Sequence, residues 1–170
     1  PAPVGGWDTM SPISAMPADH AVELINWFPQ PGWVELRRGF LNHSDIGFDL
    51  PIESLMPFQG PTANDDRFFA AAGDTIYEVS GAATVSLTGL TNARWQDVNF
   101  AGTGGNFLWI CNGEDTPRYW GGTWHTATIT GTGITSSDFI NVNAHKNRLW
   151  FCSTNSANEA YLPVDSIQGT

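Results

Sequence analysis

The residues of this chain that could do chemistry are four histidines, two cysteines and seventeen carboxylates, and their spacing argues against most chemistry. His20, His43, His125 and His145 share no ligand spacing with one another, with a cysteine or with a carboxylate cluster, so no zinc site is expected. Cys111 and Cys152 lack the C-x-x-C arrangement and read as two free, buried thiols of a protein made in a reducing cytoplasm. Gly102-Thr103-Gly104-Gly105 has no Gly-Lys-Ser/Thr after it, which leaves a turn between strands rather than a phosphate loop. There is no Gly-x-Ser-x-Gly elbow. The adjacent carboxylates Asp65-Asp66 and Glu114-Asp115 fall in loops, where solvated turn residues explain them better than an acid/base pair. Neither an enzyme nor a cofactor is expected.

Composition narrows the partners. Seventeen acidic residues against seven basic ones give the 170-residue chain a formal charge of −10, and Lys146 is its sole lysine. A protein that holds DNA by neutralising phosphates needs a basic face, which this chain cannot supply. Low charge content, 12% aromatics, 18 glycines and 11 prolines argue for a folded, turn-rich chain rather than a disordered one. No apolar run approaches the ~20 residues that span a bilayer, and the first thirty residues carry no signal-peptide pattern.

The elements that position these residues repeat. Tyr77, Tyr119 and Tyr161 are separated by 42 residues each time, and Asn106, Leu108-Trp109 and Cys111 recur as Asn147, Leu149-Trp150 and Cys152. Each unit reads as short β-rich runs joined by tight turns, such as 67–71 and 75–79 around Gly73-Asp74. The run 95–100 alternates as a half-exposed strand does, whereas 108–111 suits a strand buried on both faces. Units of this length with four strands have the spacing of β-propeller blades. The expectation is therefore an all-β fold with a β-propeller-like repeat of about 42 residues over 51–170. Two and a half blades are present, near 53–91, 92–134 and 135–170, with the three tyrosines at equivalent places. A closed propeller needs more blades, so we expect part of a longer chain or an open sheet that needs neighbours; a first residue that is Pro1 rather than methionine agrees with the former.

Residues 1–50 lie outside the repeat and read as an extended arm with a strand over 33–38 and one short element, helix or strand, over 19–28. Trp7, Trp27 and Trp33 with Arg37 and Arg38 are the interface candidates, because Trp and Arg anchors are enriched where subunits meet. Trp95, Trp109 and Trp150 are expected in the core. Exposed rings would instead suit sugar stacking. Gly121-Gly122-Thr123-Trp124 matches the tail of the Asp-box of sialidase-type propellers, but Tyr119 and Pro117 occupy its Asp and Ser positions, so a hairpin with a packing Trp is expected.

A string of short motifs runs along nearly the whole chain: Gly5-Gly6-Trp7, Ala15-Met16-Pro17, Asn26-Trp27-Phe28-Pro29, Leu36-Arg37-Arg38-Gly39, 89–95, His145-Lys146-Asn147-Arg148-Leu149-Trp150-Phe151 and Tyr161-Leu162-Pro163. With these the sequence resembles the tail proteins of short-tailed bacteriophages, in particular the packaged-DNA stabilisation protein (tail hub) and the related nozzle (tail tubular protein B) family. The resemblance implies a non-enzymatic virion subunit, assembled in the host cytoplasm, in a ring below the portal, six-fold by family analogy. Its partners would be other copies of itself, the portal or adaptor and other tail proteins, with double-stranded DNA passing through. Phosphates sliding past an acidic wall are repelled rather than gripped, and the channel-lining candidates are Asp65, Asp66, Asp74, Glu114 and Asp115. An acidic surface also aids solubility by itself. The alternative reading is a carbohydrate- or receptor-binding propeller module of a phage tail, which requires exposed Trp or Tyr beside Asp or Asn on one face.

Overall fold

The computed structural model describes residues 2–154 and 156–169, in two compact units, Pro1–Asn42 and His43–Thr170. In the first, β1 (Gly6–Trp7) lies parallel to β2 (His20–Ala21), and β3 (Trp27–Gln30) pairs antiparallel with β4 (Trp33–Leu36). Pro31 presets the turn between β3 and β4, and Gly32, at φ 82°, supplies the left-handed step that a Pro-Gly turn requires. No helix forms over 19–28. Pro17 and Pro29 bracket that stretch, and Asn26 turns left-handed at φ 61° just before β3.

The second unit holds three antiparallel meanders in chain order. The first sheet is β5 (Ser54–Phe58), β6 (Arg67–Ala72), β7 (Thr75–Glu78) and β8 (Thr84–Leu87). The second is β9 (Gln96–Gly102), β10 (Gly105–Cys111), β11 (Arg118–Trp120) and β12 (Trp124–Thr126). The third has three strands, β13 (Phe139–His145), β14 (Arg148–Ser153) and β15 (Glu159–Tyr161). The fold is all-β, with the sheets separate rather than closed into a barrel. Sequence reading passes over β5 because Pro57 lies inside it. A proline donates nothing to a ladder but is tolerated on an edge strand, which β5 is. The turns at Gly73-Asp74, 103–104 and Gly121-Gly122 fall where the sequence places them.

Alternation along the second strand of each sheet builds the core. On β10, Leu108 and Ile110 face the first sheet and join Met56, Phe58, Phe69, Ala71 and Ile76. Trp109 and Cys111 face the other way and join Phe139, Val142, Leu149, Phe151 and Leu162 of the third sheet and its flank. The middle sheet is thus buried on both faces, and its first strand β9 neighbours both β5 and β13.

Three sequence expectations change in this arrangement. The run 95–100 is covered on both sides, since Trp95 lies in the first core and Phe100 in the second. Tyr77, Tyr119 and Tyr161 all occupy the third strand of a sheet, opposite Ala70, Trp109 and Trp150. They do not share a side, however. Tyr77 points away from the middle sheet with Ala70, Ala72 and Val79, while Tyr119 points from the middle sheet towards the third. A one-residue offset in register exchanges the two faces of a strand, and the first repeat carries that offset. Finally, Cys111 is buried but Cys152 is exposed and Trp150 only half-buried, because among the described residues no sheet covers the outer face of the third one. Both thiols are free, and burial pushes the Cys111 thiol up to about 12, with a smaller push from Cys152.

The outer face of the first sheet is covered by residues the sequence assigned to the arm. His43 Nε2 meets the Val79 carbonyl oxygen at 2.8 Å, its ring stands edge-on to Phe68, and Ile46 packs beside them. The boundary between units therefore falls between Asn42 and His43 rather than near residue 50.

Candidate functional site

The five acidic candidates reach two opposite ends of the stacked sheets. Asp65 and Asp66 lie in the loop between β5 and β6. Asp74 lies in the β6–β7 turn, and Glu114 and Asp115 lie in the loop between β10 and β11. The sheets run in the same sense. Arg94 Nε reaches Glu53 Oε1 at 3.0 Å just before β9 and β5, and Asn106 donates to the Gln59 carbonyl at 3.2 Å just beyond their far ends. Asp74 and Asp115 come together, since the Leu90 and Thr91 amides donate to the Asp74 carbonyl and the Asp115 carboxylate respectively. Asp65 and Asp66 do not join them.

Most of these carboxylates hold turns. Asp65 accepts from Thr62 Oγ1 at 2.7 Å, Asp66 from the Gly60 amide at 2.8 Å and Asp74 from Thr75 Oγ1 at 2.9 Å. Glu114 is exposed, and its carboxylate makes no hydrogen bond or ion pair among the described residues. Asp115 is a latch between sheets, accepting from the Thr91 amide (2.9 Å), the Thr91 hydroxyl (2.8 Å) and the Asn112 side chain (2.6 Å). Partial burial works to raise its pKa, but those hydrogen bonds and the Arg118 charge outweigh it and hold the carboxyl below its ordinary 3.8. A carboxylate so depressed adds stability above its unfolded value, and that stability is lost as pH falls through the folded one. Asp115→Asn should lower the urea midpoint at pH 7 and flatten its decline below about pH 4. An unchanged pH dependence in the variant would show that the latch does not titrate with folding.

Asp97 is the acidic group that sequence reading missed. On β9 it stands opposite Ile110 on the side facing the first sheet, half-buried, and burial raises its pKa. Its neighbour on that side, Asn99, fastens the two sheets, donating to the Pro57 carbonyl (2.7 Å) and accepting from the Gln59 amide (2.9 Å). Ser54 does the same at the other end, donating to the Ala93 carbonyl and accepting from the Trp95 amide, each at 2.7 Å. The alternation Trp95, Asp97, Asn99 was the available signal for a shared face.

The arm candidates are exposed: Trp7 by 69%, Trp27 by 44% and Trp33 by 52%. Trp7 Nε1 donates to the Val22 carbonyl at 2.9 Å, which fixes the ring while leaving its face open. Two hollows flank Trp27. One of about 580 Å³ is lined by Val4, Leu24 and Trp33, and one of about 370 Å³ by Trp7, Val22 and Pro29. Arg38 pairs with Glu35 at 3.2 Å, whereas the side chain of Arg37 forms no ion pair among the described residues.

A second aromatic surface lies on the third sheet. The Trp150 and Tyr161 rings lie 4.8 Å apart, tilted by 37°, the Arg148 guanidinium stands 5.1 Å from the Tyr161 ring, and Asn141 and Asn143 lie across from Cys152 and Trp150. Among the described residues, no group of three or more His, Cys, Asp or Glu could hold a metal ion, and no helix is long and apolar enough to cross a membrane. No protein-family model, curated protein or solved structure matches the chain.

Proposed function

We propose that this chain is a structural, non-enzymatic subunit of a ring-shaped tail hub or nozzle of a short-tailed bacteriophage. There it would retain packaged DNA below the portal and form the channel for its ejection. The observation that carries the reading is the arm. A small compact unit leaves Trp7, Trp27, Phe28, Trp33, Leu36, Phe40 and Leu41 exposed, large apolar side chains of the kind that gather where proteins meet. Three further features support it. The chain repeats an antiparallel meander, the first strands of the meanders lie side by side, and the net charge of −10 suits a wall past which DNA slides. In this reading the meanders are successive propeller-like blades.

Sedimentation velocity and negative-stain imaging of the purified chain test this directly. The expected result is a ring with a lumen wide enough for a duplex, and a strictly monomeric chain at every concentration would refute it. The alternative, a carbohydrate- or receptor-binding tail module, draws support from Trp150 and Tyr161 beside Asn141 and Asn143. It requires saccharide-dependent quenching of Trp fluorescence.

A further inference from the structure

We propose that the mouth between the first two sheets is a binding site for a neutral saccharide, with a single hexose ring as the unit it accepts. A hollow of about 310 Å³ opens there, where the β5–β6 loop meets the β9–β10 and β11–β12 turns. It lies within the second unit of one chain and on other residues than the aromatic surface of the third sheet. The site therefore neither needs the ring nor tests it.

The two turns leave the space and the rings beside them give it an apolar wall. Gly104, Gly105, Gly121 and Gly122 line the hollow and bring no side chain into it. Gly121 also lets the Phe107 ring come close, since a Cβ there would stand 2.9 Å from it. Phe107 is held edge-on to Tyr119 at 5.8 Å, and Trp120 edge-on to Phe69 at 5.0 Å. Both rings are half-buried and line the hollow. Aromatic rings already fixed by packing offer apolar surface at little ordering cost. A hexose meets such a wall with the C–H bonds of one ring face and keeps its hydroxyls at the periphery.

Polar groups for those hydroxyls line the same hollow. Asp65, at the rim, gives Oδ2 to Thr62, and its Oδ1 has no partner among the described residues. Asn106 spends its amide N–H on the Gln59 carbonyl at 3.2 Å, and its Oδ1 is free in the same sense. Arg67 donates Nη1 to the Asn64 and Asp66 carbonyls at 2.9 and 2.8 Å, and its Nη2 makes no hydrogen bond among the described residues. A carboxylate, an amide oxygen and a guanidinium N–H are the acceptors and donor that neighbouring hydroxyls require. Charge selects the class. Glu78 pairs with Arg67 Nε at 3.2 Å, so an anion finds no uncompensated cation. Arg67 in the wall in turn opposes a cation that Asp65 and the rings would otherwise attract. A neutral ligand with one apolar face and several hydroxyls satisfies every group present, as a site of few polar groups on an apolar lining requires.

Isothermal titration calorimetry of the full chain with glucose, galactose, mannose and N-acetylglucosamine tests this, beside glucuronate and tetramethylammonium. At least one neutral sugar should bind with a Kd on the order of 1 mM, the scale that so small a ligand allows. Asp65→Asn keeps an acceptor for Thr62 and should weaken that binding at least about tenfold, as loss of a hydrogen bond to a charged group does. Trp150→Ala, on the third sheet, should leave it unchanged. Circular dichroism checks that both variants fold. Undiminished binding by Asp65→Asn would overturn this placement, and loss of binding in Trp150→Ala would move the sugar to the third sheet. Tighter binding of glucuronate or tetramethylammonium than of any neutral sugar would overturn the ligand class. No heat from any of the four sugars at about a hundred times that Kd would overturn the site itself. Whether the chain forms a ring is read separately by sedimentation, so each reading can fail without the other.

Discussion

Trp109→Ala should destabilise the second unit by about 3–5 kcal/mol, the range for truncating a large buried aromatic side chain. Trp109 is 0% exposed, its ring lies 4.8 Å from that of Phe151, and its Nε1 donates to the Ile167 carbonyl at 3.0 Å. Truncation opens a cavity between the second and third sheets, which neighbours in a packed interior fill only in part. It also leaves a carbonyl acceptor without its donor. Against a total stability of about 5–15 kcal/mol for an ordinary domain, that loss is close to unfolding. Trp150→Ala removes the same side chain from the equivalent position one repeat later, where no sheet covers it among the described residues, and should cost about 1 kcal/mol or less in the monomer. Urea midpoints measured on both variants decide the matter. Equal losses would mean that the outer face of the third sheet is as well covered as that of the second.

If the chain lines the proposed channel, replacing Glu114 by lysine should convert a wall that repels DNA into one that holds it. Its carboxylate makes no bond among the described residues, so the substitution changes charge without dismantling a turn, as changing Asp74 or Asp115 would. In a ring every copy contributes one such lysine, so the effect multiplies around the lumen. Duplex affinity should rise from undetectable to measurable and fall steeply with salt. A site that contacts 6–10 phosphates loses roughly 10³–10⁵ in affinity between about 50 and 200 mM salt. Asp65→Lys places the same charge at the opposite end of the sheets at the cost of the Thr62 hydrogen bond, so, with circular dichroism confirming the fold, the variant with the larger gain identifies the end nearer the DNA path. In particles, the more strongly binding variant should release DNA more slowly while assembling normally. If neither variant binds DNA and release is unchanged, the acidity serves solubility rather than transport.

How much of this was legible in the sequence follows from how far each feature depends on distant neighbours. The strands and turns of all three repeats were local matters. β-branched and aromatic runs between Gly, Asp and Asn turns formed strands wherever they fell, apart from β5, where Pro57 concealed an edge strand. The loop placement of Asp65, Asp66, Glu114 and Asp115 was legible for the same reason, as was the exposure of Trp7, Trp27 and Trp33 in a proline-punctuated arm.

Faces and partners were not local. Tyr77 keeps the 42-residue spacing yet points the opposite way from Tyr119, because the side on which a strand residue emerges depends on register as well as on sequence distance. Cys111 and Cys152 follow the same local pattern, and one is buried while the other is exposed, because burial is conferred by the sheet that lies opposite. The residues that join the sheets, Ser54, Asn99 and Asp115, are short polar side chains indistinguishable in sequence from ordinary turn residues. The sequence by itself determined an acidic, repeating all-β chain with an aromatic arm, since composition, strand propensity and turn chemistry act over a few residues. Which face is core, which carboxylate is a latch and which aromatic surface is left open were decided only by tertiary packing, because each depends on a neighbour tens of residues away along the chain.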